Sequence, residues 1–147
     1  MALANCRQVQ FTFDPDRPQG LAWAPMTVTA VFPYEINNPT GRRLLVHYHV
    51  SISDDRGNRT EDSNTYAYQV GEITQSFILP LFLSNGYAPG LVKFTAVIEL
   101  SVINYPPSES CRSQGQGSYQ IGQNPGFLPL RELFSTELES DKVARPD

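Results

Sequence analysis

The chain has 147 residues and a net charge of −4, with 40% hydrophobic and 18% charged residues. That is a globular composition, long enough to bury about 68–70% of its unfolded surface and too apolar to stay disordered. Lys and Arg form no cluster, which excludes a nucleic-acid surface, and no run reaches the roughly 18 apolar residues of a membrane span.

The opening MALANCRQVQ has no basic stretch followed by an apolar block, so it does not read as a secretory signal. Cytoplasmic synthesis is the expectation, with release by lysis or processing as the other route. Cys6 and Cys111 have neither close spacing nor metal-ligand spacing. Two free thiols in a reducing compartment are expected. If bonded, the pair would close a loop of about 100 residues, worth up to ~4.7 kcal/mol on the chain-entropy model.

Arg7–Phe13 alternates, with Val9, Phe11 and Phe13 on one side, and predicts a first strand. Asp14–Pro25 carries three prolines and a glycine and reads as a loop. Its Trp23, the chain's single tryptophan, is expected to cap one end of the core. Met26–Ile36 resumes the alternation, and Pro33 within it predicts an edge position or a bulge. The turn NNPTG then leads into Arg42–Ser53, and the two strands are expected to pair as a hairpin.

Asp54–Asn64 is polar throughout and reads as a solvated loop. Thr65–Leu83 shows its apolar set late, at Ile73, Phe77, Leu79 and Leu81, with Pro80 marking a break or an edge. After the turn cluster SNGYAPG comes the longest alternation, Leu91–Ile103. Its Val92, Phe94, Ala96, Ile98, Leu100 and Val102 form one apolar face. Phe94, Ile98 and Leu100 are expected to be buried with Val28, Phe32, Val46 and Tyr48. Asn104–Gly126 reads as loop, with at most a short strand around Tyr119–Ile121. Beyond Pro129, the spacing of Leu130, Leu133, Phe134 and Leu138 predicts a short amphipathic helix or arm.

These elements predict an all-β fold: an antiparallel β-sandwich of the immunoglobulin-like kind, with a jelly-roll or cupin-like barrel as the alternative. The sandwich should occupy residues 1–128 and the arm residues 129–147.

The strongest local pattern for chemistry is Gly41, His47 and His49, followed by Asp54. Histidines at i and i+2 share a strand face and could reach one metal ion. This spacing resembles the opening of the first cupin motif, which implies a barrel-bound metal held by His47, His49 and Asp54. A cupin expects Glu where Asp54 stands, and a later histidine; His47 and His49 are the chain's two. The reading adopted is therefore no metal and no cofactor, with both histidines on a polar face. The acidic stretch Asp54, Asp55, Glu61 and Asp62 lacks the spacing of a calcium loop and is interrupted by Arg56 and Arg59. No Gly-x-Ser-x-Gly or phosphate-cradling glycine loop is present.

The expected function is that of a non-enzymatic structural or interaction protein, a β-sandwich subunit of a larger assembly. A virion accessory or decoration protein is one form this could take. Its partners would be proteins, a homo-oligomer among the options, met through Leu130, Leu133, Phe134 and Leu138. Nucleic acid and membranes are not expected partners. The alternatives are a cupin-like metal enzyme and a carbohydrate-binding module using exposed aromatic rings.

Overall fold

The computed structural model describes residues 2–16 and 20–122. Among them all regular structure is β, apart from one 3-10 turn at Pro107–Glu109. The strands are β1 (Ala4–Cys6), β2 (Gln10–Asp14), β3 (Gly20–Leu21), β4 (Met26–Asn38) and β5 (Leu44–Asp54). They continue as β6 (Arg59–Tyr68), β7 (Gly71–Leu83), β8 (Gly90–Val102) and β9 (Cys111–Gly122). The expected arm, with Leu130, Leu133, Phe134 and Leu138, lies outside the described residues.

The chain divides into two compact units. Of the described residues, the larger holds 2–16, Thr27–Phe82 and Val92–Ser118; the smaller holds 20–26, Leu83–Leu91 and 119–122.

In the larger unit, one sheet is built on β4. β1 pairs with it through Cys6↔Tyr34, and β2 through Gln10↔Val31. Four steps along β1–β2 therefore match three along β4. That one-residue slip is a bulge, so β1 and β2 are one interrupted strand along a single edge. Pro33 sits opposite this bulge, where its carbonyl accepts the Arg7 N–H at 2.9 Å. β7 pairs with β4 as well. The second sheet runs in the order β9-β8-β5-β6.

The two sheets face each other across the predicted core. Phe94, Ile98 and Leu100 are buried, and so are Val28, Phe32, Val46 and Tyr48. Phe94 from β8 lies 6.4 Å from Phe11 and 5.8 Å from Phe13, both on β2, ring centre to ring centre. The result is a sandwich-like all-β unit.

Three expectations about the strands of the larger unit need correction. β4 and β5 do not form a hairpin: they belong to different sheets, and β5 pairs with β6 and β8. The polar stretch read as a solvated loop is loop only as far as Asn58. From Arg59 it is β6, an edge strand exposed on both faces, which needs no apolar alternation. The stretch read as loop after Asn104 contains β9, a full twelve-residue strand.

β9 escaped detection because small residues line its inner face. A Cβ on Gly115 would stand 2.7 Å from the Val9 Cβ, and one on Gly117 would stand 2.9 Å from the Phe11 ring. Glycine lets β9 close against the β1–β2 strand where any side chain would collide. Cys6 and Cys111 are bonded there, with Cα atoms 5.6 Å apart. They are not the free thiols expected from their distance in sequence, because the fold brings β1 beside β9.

In the smaller unit, Gly20 and Leu21 of β3 pair in parallel with Ile121 and Gly122 of β9. The sheets are thus mixed rather than purely antiparallel. Trp23 does not cap the core: it is 54% exposed and adopts φ 60°. Its N–H donates to the Tyr87 carbonyl at 2.9 Å, and Tyr87 is the buried ring of this unit's loops.

Candidate functional site

The side of the larger unit opposite the disulfide is where β6 turns into β7. β6 pairs only with β5, and β7 only with β4, so each has an outer edge that no described strand covers. Residues Gly71–Ser76 are exposed on both faces of β7.

Five aromatic rings converge at this side. Phe77 of β7 stacks between Tyr34 of β4, at 4.7 Å and 12°, and Tyr48 of β5, at 4.3 Å and 20°. Tyr66 of β6 lies 5.2 Å from Tyr48, and Tyr68 meets Tyr34 edge-on at 6.3 Å. Strand alternation explains the set: Tyr66 and Tyr68 are two apart on β6, so both point inward. Such pairs contribute about 0.5–1.5 kcal/mol each beyond burial.

The hydroxyls of Tyr34, Tyr48 and Tyr68 are all hydrogen-bonded. Tyr34 donates to Gln75 Oε1 at 2.9 Å, which leaves its oxygen to accept from the Tyr68 hydroxyl at 2.8 Å. Tyr48 donates to Asp62 Oδ2 at 2.8 Å. Burial, reinforced by the Tyr68 contact, holds the Tyr34 phenol neutral far above its ordinary range. Burial and then the Asp62 carboxylate do the same for Tyr48, and burial raises Tyr68. None of these phenols is poised to exchange a proton near neutrality, which argues against an acid–base role.

Asn38 fixes the turn beside the rings. It is fully buried, and its amide donates to the carbonyls of Arg42 at 2.8 Å, Tyr68 at 3.2 Å and Gln69 at 3.2 Å. Its Oδ1 accepts from the Thr40 N–H and hydroxyl. One side chain thereby ties the β4–β5 crossover to the β6–β7 turn.

Above the rings opens a cleft of about 440 Å³, lined by residues 66–73 and Gln75. Tyr66, Val70 and Ile73 give it exposed apolar surface. On the outer face of β7, Ile78 is 68% exposed and Phe82 is 65% exposed, with Pro80 between them. Pro80 has no N–H to give, which fits an edge strand as the sequence implied.

The histidines lie elsewhere. His47 and His49 are on the outer face of β5, away from the core. His47 Nδ1 is 3.0 Å from the Thr65 hydroxyl, and His49 Nε2 is 2.8 Å from Glu61 Oε1. Glu61 also accepts from Arg59 at 3.2 Å. The His49 hydrogen bond, then Arg59, lowers the Glu61 carboxyl below its usual range. Asp54 caps its own turn, accepting from the N–H groups of Arg56 at 2.8 Å and Asn58 at 2.9 Å. Among the described residues, no three His, Cys, Asp or Glu side chains are grouped to hold a metal ion.

Reasoning from sequence missed this aromatic site. The signal was present in Thr65–Tyr68, where Tyr66 and Tyr68 alternate, and in Ile78 and Phe82, which fall opposite the buried Leu79 and Leu81. No protein-family model matches the chain, and neither a curated protein nor a solved structure does.

Proposed function

We propose that the chain is a non-enzymatic interaction module, a β-sandwich subunit that joins an assembly through its β6–β7 side. One observation carries this reading. β7 is a thirteen-residue edge strand with a single charge, Glu72, and it displays Ile78 and Phe82 to solvent. Soluble proteins ordinarily blunt such edges with charges, prolines, bulges or short strands, because free N–H and C=O groups template further pairing. β7 has Pro80 near one end and Glu72 near the other, and residues 73–79 between them have neither. An edge kept long and apolar is a surface for a partner.

The strand arrangement supports an immunoglobulin-like sandwich. Counting β1–β2 as one strand and leaving out the two-residue β3, the sheets contain the first, second and fifth strands against the seventh, sixth, third and fourth. The hydrogen-bonded Tyr cluster and the His49–Glu61 hydrogen bond support a structural rather than catalytic use of the polar groups. The Cys6–Cys111 bond supports maturation in an oxidising environment.

Sedimentation of the full chain tests the reading. The wild type should associate as concentration rises, and a variant carrying Ile78→Lys and Phe82→Lys should remain monomeric with unchanged melting. Monomeric wild type at every concentration, together with no effect of the two substitutions on any partner complex, would sink it.

A further inference from the structure

We propose that β7 pairs edge to edge with β7 of a second copy of this chain, antiparallel about a two-fold axis at Gln75, so that one sheet continues across the dimer. This rests on the assembly reading and deepens it by naming the partner and the register.

The direction of the backbone groups comes first. On β4, Asn37 donates its N–H to the Leu3 carbonyl at 2.8 Å, and the Pro33 carbonyl accepts from Arg7 at 2.9 Å. Odd-numbered residues of β4 therefore turn towards β1–β2, and even-numbered ones towards β7. The even set is also the one whose side chains are buried. Residues directly opposite in a ladder share a sheet face, and β7 buries Leu79, Leu81 and Leu83, its odd set. The odd residues of β7 thus bond to β4, and its even residues point their backbone groups outwards. Pro80 belongs to the outward set, where its missing N–H costs the β4 ladder nothing.

The usable part of this edge is short and defined. Pro80 ends the run of outward donors on one side, and the strand begins at Gly71 on the other. Glu72, Thr74, Ser76 and Ile78 lie between. Against an antiparallel copy these four match completely in one register, Glu72 with Ile78 and Thr74 with Ser76, each pair exchanging both its bonds. Moving the axis to Ser76 sets Glu72 against Pro80, which cannot donate. Moving it to Thr74 carries Ile78 past Gly71, off the strand.

The side chains agree with that register. On the outer face, the hydroxyls of Thr74 and Ser76 meet across the ladder, a pairing that stabilises sheets. The two Glu72 carboxylates stand at opposite ends, so the strand's single charge meets no like charge. On the inner face, Ile73, 36% exposed beside the cleft, meets the partly buried Phe77 of the other copy. A strand that matches its own two-fold image in donors, charge and apolar contacts names a second copy as its partner, through one self-complementary contact.

Cysteine cross-linking of the full chain in air, with oxygen as oxidant, reads the register. Thr74 and Ser76 are exposed and outside the Tyr cluster, so Thr74→Cys and Ser76→Cys keep the fold. Mixed in equal amounts, the two variants should join, because such ladder pairs have Cα atoms about 5.5 Å apart, within the span of a disulfide. Each variant alone should link at least about tenfold more slowly. Its two copies of one residue are offset along the strands, leaving Cα atoms roughly 8–9 Å apart, too far to bridge. Gln75→Cys, on the axis, should link to itself with no second variant. In an oligomeric chain, a mixture that links no faster than either variant alone overturns the inference and leaves the assembly reading standing. So does a chain that is monomeric by itself and uses β7 only in complex with a different protein. A chain that is monomeric throughout, with no partner complex, overturns both.

Discussion

Replacing both Cys6 and Cys111 with alanine should lower stability by about 4–5 kcal/mol, one of the two largest single effects expected in this protein. The bond links residues separated by 105 positions. On the chain-entropy model, closing a loop of about 100 residues removes ~4.7 kcal/mol of freedom from the unfolded chain. For a chain of this size, 1 kcal/mol shifts melting by roughly 2–4 °C, so the midpoint should fall by about 10–20 °C. The native contacts argue in the same direction. Val9 and Phe11 meet the glycines of β9, leaving little side-chain surface to hold that seam once the bond is gone. Thermal melting of the double variant and of the wild type under reductant measures this. Equal midpoints with and without the bond would show that the seam holds by packing alone.

Ile98→Ala should destabilise by ~2–5 kcal/mol, from lost burial and the cavity left behind. Ile98 is completely buried in β8 and pairs with Val50 of β5, under the facing sheet. Thr95, three residues earlier, falls on the opposite face of the same strand and is partly exposed. Thr95→Ala should stay within about 0.5 kcal/mol of the wild type. Urea denaturation of the two variants decides it. Similar midpoint shifts would mean that the faces of β8 are reversed.

What the sequence made legible follows from how strand side chains sort. β4, β5 and β8 bury one face and wet the other, so Val28, Val46 and Ile98 announce themselves by alternation. β6 wets both faces along most of its length, and its Arg, Glu, Asp, Ser and Asn residues carry no such signal. β9 buries its inner face with Gly115 and Gly117, where packing demands the absence of a side chain and not the presence of an apolar one. The Cys6–Cys111 bond is a long-range consequence of topology, invisible to spacing. The aromatic cluster was hidden in the same way: Tyr34, Tyr48, Tyr66, Tyr68 and Phe77 come from four strands and meet only once two sheets face each other. His47 and His49 were placed correctly on the wet face of β5, because alternation alone determines that.

The claim at the centre of this account is that β7 presents a working edge. Amide hydrogen exchange of the full chain at low and high concentration measures it directly, since an edge N–H is protected only when a partner accepts from it. In the dilute chain, the outward amides of residues 72–78 should exchange freely. At concentrations where the chain sediments as an oligomer, they should slow by at least about tenfold while the amides of β5 near His47 and His49, flanked by β6 and β8, stay unchanged. Oligomers whose β7 amides exchange as fast as those of the monomer would contradict it, and would place the contact elsewhere on the surface.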